Sequence, residues 1–252
     1  MQNLIIGRHP VLESLRSESP PEKIYILFGT RGSAIQQIQQ LAKRHGVPVT
    51  EIDRHRFLEL SSETNAQGVL AVGATKQYVD IEALLQVAAE KKEPPFLLIL
   101  DEIEDPHNVG ALIRTAECAG VHGVILPKHH AANLNETVAR ASAGASLHLP
   151  AAKVTNIANT LEELHSKGVW IVGTDMQGEK AFDEMDYRGA IAIVVGNEGK
   201  GIRKLVKEKC DFLVKIPMYG KIGSLNASVA GGLVLFAAAR GRHSTQAKEG
   251  TK

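Results

Sequence analysis

Hydrophobic positions recur in two rhythms along this chain, and the rhythm divides it. Within residues 1–75, short extended runs at 23–28 and 68–73 predict strands, and Ile35, Ile38, Leu41 and Ala42 recur at helical spacing across 33–45. From Phe96 onward, apolar runs at 96–100, 124–126, 169–173, 191–195 and 212–216 predict strands. Helical spacing at 109–119, 134–143, 156–167, 202–209 and 227–239 alternates with them. Repeated strand–helix units predict an α/β fold with a mainly parallel sheet and helices on both faces. In such sheets a ligand crevice lies beyond the carboxyl ends of the strands. Glycine loops follow Val195 and Ile216, at two of these ends.

Between the two regions the pattern weakens. Residues 76–95 are charged and end in Glu93-Pro94-Pro95, which opposes continuing any helix formed by 81–89, so this stretch is expected to link a small domain over 1–75 to a larger one over 96–243. The length of 252 residues suits two domains. After Ala239 the apolar spacing stops, leaving Arg240, Arg242, Lys248 and Lys252 against Glu249; this end is expected to be a frayed basic tail, disordered over 244–252.

Composition then excludes more than it selects. A formal charge of +1 neither demands nor forbids a nucleic-acid partner. Cys118 and Cys210 are the only cysteines and form no CxxC pair, so a disulfide framework and a structural zinc site are not expected and a cytoplasmic protein is. No signal-peptide pattern or membrane-length apolar run is present. His129-His130 points in two directions with no ligand-spaced partner, so no metal is expected. GxGxxG, P-loop, HExxH and GxSxG motifs are absent.

Three stretches hold the candidate chemistry. Asp105-Pro106-His107-Asn108 opens a helix that carries Arg114; Asn108 reads as a helix cap that can also present its amide to a ribose or phosphate, and Arg114, taken alone, as half of a surface pair with Glu117. Gly196-Asn197-Glu198-Gly199-Lys200-Gly201 follows a buried-type strand; Glu198 reads either as a ligand of free loop amides or as an active-site carboxylate, and Gly196 and Gly201 as places of close ligand approach. Ile216 to Ala230 joins a strand end to a helix start: Ile216, Met218 and Leu225 are core residues or the apolar walls of a ligand pocket, and Ser224 and Asn226 are caps or polar contacts. The Gly231-Gly232 pair inside the last helix costs about 1 kcal/mol per residue relative to alanine, so close packing within the fold or across a dimer must offset it.

In this order, the three stretches resemble the signatures of the SpoU/TrmH branch of the SPOUT methyltransferases. Gly7-Arg8-His9-Pro10-Val11-Leu12-Glu13-Ser14-Leu15 is similar to the start of that family's substrate-binding domain. The resemblance implies a trefoil-knotted sheet (SPOUT) preceded by a small α/β RNA-binding domain, a homodimer, and S-adenosyl-L-methionine as cofactor. It implies 2′-O-ribose methylation of RNA, most closely of a guanosine in 23S ribosomal RNA; the same reaction on transfer RNA and a non-catalytic RNA-binding assembly factor remain alternatives. Carried over residue by residue, it makes Asn108, Arg114, Glu198, Ser224 and Asn226 catalytic, and Thr174, Gly196, Gly201, Ile216, Met218 and Leu225 cofactor-binding, with Arg114 on the RNA side.

Overall fold

Alternating burial marks the first strands of the chain. The computed structural model describes residues 4–17, 20–61, 66–73 and 78–243. Its first elements are β1 (Leu4–Ile6), α1 (Arg8–Arg16), β2 (Lys23–Leu27), α2 (Ser33–His45), β3 (Val49–Ile52), α3 (Arg54–Leu60) and β4 (Val69–Val72). The strands pair in the order β1-β4-β2-β3, with β2 and β3 parallel and the other pairs antiparallel. Ile24 and Ile26 of β2 turn to one face and join Val11, Leu15 and Ile38 of α1 and α2 in a core. Phe57 of α3 covers the opposite face with Ile6 and Leu70. Of this region, β1, α1, β3 and α3 were not marked by periodicity alone, each being short.

The rest of the chain is built from longer apolar runs. It comprises α4 (Ile81–Glu90), β5 (Phe96–Asp101), α5 (Pro106–Cys118), β6 (Gly123–Pro127), α6 (Glu136–Ala141), α7 (Ala145–His148), β7 (Ala151–Val154), α8 (Ile157–Ser166), β8 (Trp170–Thr174), β9 (Lys180–Ala181), β10 (Ile191–Gly196), α9 (Lys204–Glu208), β11 (Phe212–Lys215) and α10 (Ala227–His243). Seven strands form one sheet in the order β7-β6-β5-β10-β8-β11-β9, and every pairing in it is parallel. β5 and β10 are buried at every position, as strands covered on both faces must be. One face packs Leu97, Ile99, Ala192 and Val194 against Leu84 of α4 and Leu161 of α8; α5 and α10 pack against each other, and α10 against β10. The register places Gly196 opposite Asp101, so two strand ends lie side by side at the carboxyl edge.

Two compact units result, and their bounds differ from the simple division at a linker. One takes in residues 1–77 together with 133–148, and the other 78–132 and 149–252. The stretch 76–95 is not a bare connector: Ile81, Leu84 and Ala88 of α4 are buried in the second unit. Conversely α6 and α7, expected as part of the larger domain, belong to the first unit, where Leu147 packs on the core of α1 and β2 and His148 Nε2 lies 2.9 Å from Glu13 Oε2. The basic end also departs from expectation. Arg242 lies within α10 and donates to the carbonyls of Pro94 and Gly189, with its guanidinium 5.0 Å from the centre of the Phe96 ring. The tail over 244–252 lies outside the described residues.

Candidate active site

The carboxyl ends of β8, β10 and β11 open onto one cleft of about 940 Å3. Thr174 closes β8, its Oγ1 donating to the Val194 carbonyl at 3.1 Å. After β11, Pro217 has no amide hydrogen to extend the pairing, and residues 216–226 run without helix or strand. Thr174, Gly196, Gly201, Ile216, Met218 and Leu225 all line the cleft, and so do Glu198 and Ser224. Half-buried Ile216, Met218 and Leu225 form an apolar wall, beside a segment whose backbone groups are not engaged in a sheet. Such a site suits a flat heterocycle read at its edge by main-chain donors and acceptors.

The polar residues meet at the rim of this cleft. Asn226 Nδ2 donates to Asn108 Oδ1 at 2.9 Å and to Glu198 Oε2 at 3.4 Å, and Asn108 Nδ2 donates to the same Glu198 oxygen at 3.4 Å. Three segments that are far apart in sequence, the first turn of α5, the loop after β10 and the residue before α10, thereby close a triangle of two carboxamides and a carboxylate. Asn226 Oδ1 also accepts from the Ser228 amide at 3.0 Å and the Val229 amide at 3.4 Å, so one side chain both starts α10 and holds the triangle. Ser224 makes no hydrogen bond to a described residue and does not cap the helix.

Several single-residue expectations change. Asp105, not Asn108, caps α5: its carboxylate accepts from the His107 amide at 3.0 Å and the Asn108 amide at 3.3 Å, with Pro106 at the first helical position. The Asn108 side chain is thereby available to Glu198 and Asn226. Glu198 does not bind loop amides either; Asn197 Oδ1 accepts from Gly199 N at 3.0 Å and Lys200 N at 3.3 Å. Gly196 lines the cleft and must also be glycine for a reason internal to the loop. A Cβ there would overlap the backbone of Gly201 and Ile202, because Asn197 and Gly201 exchange backbone hydrogen bonds of 3.1 and 2.8 Å and fold the loop back on its own stem. Arg114 is exposed on α5, does not line the cleft, and pairs with neither Glu117 nor any other described residue.

The network that supports the loop escaped sequence reasoning. Asp101, fully buried at the end of β5, accepts from the Arg203 backbone amide and Nε, each at 2.8 Å, and Arg203 Nη2 lies 2.6 Å from Asp101 Oδ1. A second contact of 3.2 Å joins Arg203 Nη1 to Glu102 Oε1. Hydrogen bonding to Asp101 raises the pKa of the guanidinium above its ordinary value. Asn197 Nδ2 adds a 3.0 Å bond to the Glu102 carbonyl. The buried carboxylate ties the far end of the glycine loop to β5 and the Asn197 bond ties its start to the residue after β5, and removing Arg203 would strand a buried charge. The signal was a carboxylate closing an otherwise apolar strand, with an arginine just past the glycine loop.

Comparison with known proteins agrees with this architecture. Residues 95–236 match the model of the SpoU rRNA methylase family. Residues 4–79 match a model described as RNA 2′-O ribose methyltransferase substrate binding. A TrmH family tRNA/rRNA methyltransferase of Bacillus subtilis (strain 168), YacO, is 45% identical over 239 residues, covering 95% of this chain and 96% of its own length. The SpoU methyltransferase AviRb from Streptomyces viridochromogenes, solved in complex with the cofactor AdoMet, superposes with a TM-score of 0.79 at 24% identity, over 96% of this chain and 90% of that one. A TrmH/SpoU tRNA modifying enzyme of A. aeolicus is 32% identical over 61% of this chain and 78% of its own, with a TM-score of 0.56. A family model spanning more than half of the chain, and a relative matched along nearly its whole length, establish that this chain belongs to the SpoU/TrmH family of methyltransferases.

Proposed function

We propose that this protein transfers a methyl group from S-adenosyl-L-methionine to a ribose 2′-hydroxyl of RNA, and that the RNA is 23S ribosomal RNA, at a guanosine. The observation that carries the reading is the Asn108–Glu198–Asn226 triangle at the rim of an apolar-walled cleft at the strand ends. The match of residues 4–79 to a substrate-binding model of RNA 2′-O ribose methyltransferases supports the reaction class. Transfer RNA stays as a second substrate reading, favoured by the likeness to the TrmH/SpoU tRNA modifying enzyme of A. aeolicus.

The residues present fit the cofactor. Ile216, Met218 and Leu225 would hold the adenine, and Thr174 and the loop from Gly196 to Gly201 would border the rest of the molecule. When bound, the sulfonium group supplies an electrophilic methyl. The chain's own share is to orient the ribose, stabilise the oxygen as it loses its proton, and exclude water. Asn108, Glu198 and Asn226 present amide donors and carboxylate acceptors at the rim and orient the sugar, with Ser224 beside them on the cleft wall. The planar Arg114 guanidinium, a donor with no acceptor atom, suits a phosphate oxygen and the developing negative charge rather than proton abstraction.

We assign an RNA-binding role to residues 1–75 and catalysis to 96–243, in a knotted chain that works as a cytoplasmic homodimer. Val229, Leu233 and Phe236 form an apolar stripe on the outer face of α10, with 51%, 40% and 52% of their surfaces exposed, and this stripe is the proposed dimer contact. The test is methyl incorporation from labelled cofactor into ribosomal and transfer RNA, followed by mapping of 2′-O-methyl sites in RNA from cells lacking the protein. Incorporation into neither RNA would reject the reading in favour of a non-catalytic RNA binder.

A further inference from the structure

The turn after β2 holds a side chain that the fold does not use. Phe28 has 76% of its surface exposed, although its backbone is fixed: its amide donates to the Ile52 carbonyl at 2.8 Å, and Thr30 N donates to the Leu27 carbonyl at 3.0 Å. Cavities flank this turn on two sides and share Leu27 as a wall. One, of about 690 Å3, is lined by Arg8, His9, Thr30, Arg31 and Gln67 among others, with no carboxylate in it. The other, of about 400 Å3, includes Phe28 itself together with the carboxylates of Glu51 and Asp53 and the guanidinium of Arg54.

Charge in the first cavity is poised rather than neutralised. Arg8 Nε donates to the Gln67 carbonyl at 3.1 Å, which fixes the guanidinium while its terminal nitrogens bond no described residue. Arg31 is exposed and forms no ion pair among the described residues. Helices α1 and α2 both start beside the cavity with glycine caps that supply no side-chain acceptor; Arg8 N of α1 donates to Gln67 Oε1 at 3.4 Å, and the start of α2 adds to the positive potential.

A solvent-facing aromatic ring on a hydrogen-bonded turn, with guanidinium groups that no carboxylate neutralises on the same turn and beside it, matches the two faces of a nucleotide: a base to stack and a phosphate to bind. Bases inside a duplex are already stacked and paired, so the matching element is unpaired. We infer that the β2 turn binds one unpaired nucleotide of the RNA substrate, with its base stacked on Phe28 and its phosphate held by Arg8 and Arg31. The inference rests on the reading of this protein as an RNA methyltransferase and adds to it where, and in what form, the RNA is gripped away from the reacting ribose.

The experiment uses the full-length protein with a synthetic hairpin RNA bearing 2-aminopurine in its unpaired loop, and with a blunt duplex of the same stem. Phe28→Ala is expected to weaken hairpin binding about 5- to 150-fold, the range of one lost base–aromatic stack, and to abolish the 2-aminopurine quench. Duplex affinity should not change, and Phe28→Trp should restore hairpin binding. Arg31→Ala should lower the salt dependence of hairpin binding by about 0.7 in log–log slope. Cofactor affinity, measured by calorimetry, should stay at the wild-type value in all variants and so report an intact second unit. Wild-type hairpin affinity and quench in Phe28→Ala would overturn the inference; if the wild-type protein still methylates RNA, the enzymatic reading survives that result. A wild-type protein that binds no RNA would overturn both.

Discussion

At the scale of single residues, Arg114 and Gly196 call for different tests. Arg114 is unpaired and exposed, so Arg114→Ala is expected to leave fold and cofactor affinity unchanged and to lower methyl transfer by at least ten-fold; Arg114→Lys should recover little, because an ammonium cannot form the planar two-bond contact to phosphate. Single-turnover methylation beside cofactor calorimetry checks both halves. Gly196→Ala, by contrast, should destabilise the protein itself, since even a methyl group collides with the Gly201–Ile202 backbone; a lowered denaturation midpoint is the expected outcome, and a loss of cofactor binding there would not locate the cofactor. His122 carries a pH dependence that no motif announced. It is buried, its Nδ1 accepts from the Phe96 amide at 3.0 Å, and its Nε2 lies 3.2 Å from Glu93 Oε2. Burial, then the nearby Lys91 charge, lower its pKa below the ordinary 6.5. The unfolded chain therefore takes up a proton before the folded one does: the His122 contribution to stability is present above about pH 6.5 and is lost as the pH falls towards the folded-state value. His122→Asn keeps an acceptor for the Phe96 amide and removes the titration, so denaturation midpoints measured between pH 7.5 and 5 should fall less steeply than in wild type.

At the scale of elements, α10 separates two roles that its sequence runs together. Gly231-Gly232 was expected at a close contact within the fold or across a dimer. The structure assigns Gly231 to the interior, where a Cβ would run into Leu112 of α5 and lie 3.2 Å from Val195 of β10, whereas Gly232 faces only Thr115 at an ordinary 3.5 Å. Gly231→Leu should thus lower stability by about 1–3 kcal/mol or more through overpacking. Phe236→Asp should leave the monomer folded and dissociate the proposed dimer. Denaturation for the first and light scattering for the second distinguish them; a fully dimeric Phe236→Asp protein would remove the outer stripe as the interface. Elements with unbroken apolar runs, such as β5 and β10, were legible because burial on both faces leaves a continuous hydrophobic signal. Short β7 and the two-residue β9 were not, since Ala151–Val154 and Lys180–Ala181 carry too few apolar positions to set a period and are strands only because a neighbour pairs with them.

At the scale of the whole molecule, the unit bounds alter what a truncation can test. Cutting before residue 95 removes α4, whose Leu84 fills the space left by Gly123. Cutting at 77 keeps α4 but leaves residues 133–148 without the core that Leu147 joins. A protein beginning at residue 78 is therefore expected to melt at a lower temperature than the full chain even where it still binds cofactor, and differential scanning fluorimetry with and without S-adenosyl-L-methionine checks this. A melting temperature equal to that of the full chain would show that 133–148 needs no partner from the first unit. What the sequence determined by itself was the parallel α/β architecture and the two glycine loops at strand ends, because hydrophobic period and backbone-breaking residues are local properties; cleft residues such as Thr174 were named only through the family resemblance. Tertiary structure alone decided which of those residues meet. Asn108 lies in the first turn of α5, Glu198 in the loop after β10 and Asn226 just before α10, and only the placement of β5 beside β10 and the return of the chain into α10 bring their amides and carboxylate within hydrogen-bond distance. The Asp101–Arg203 pair and the glycine at 196 follow the same logic: each answers to a partner distant in sequence or to a backbone folding back on itself, and such contacts exist only once the chain has packed.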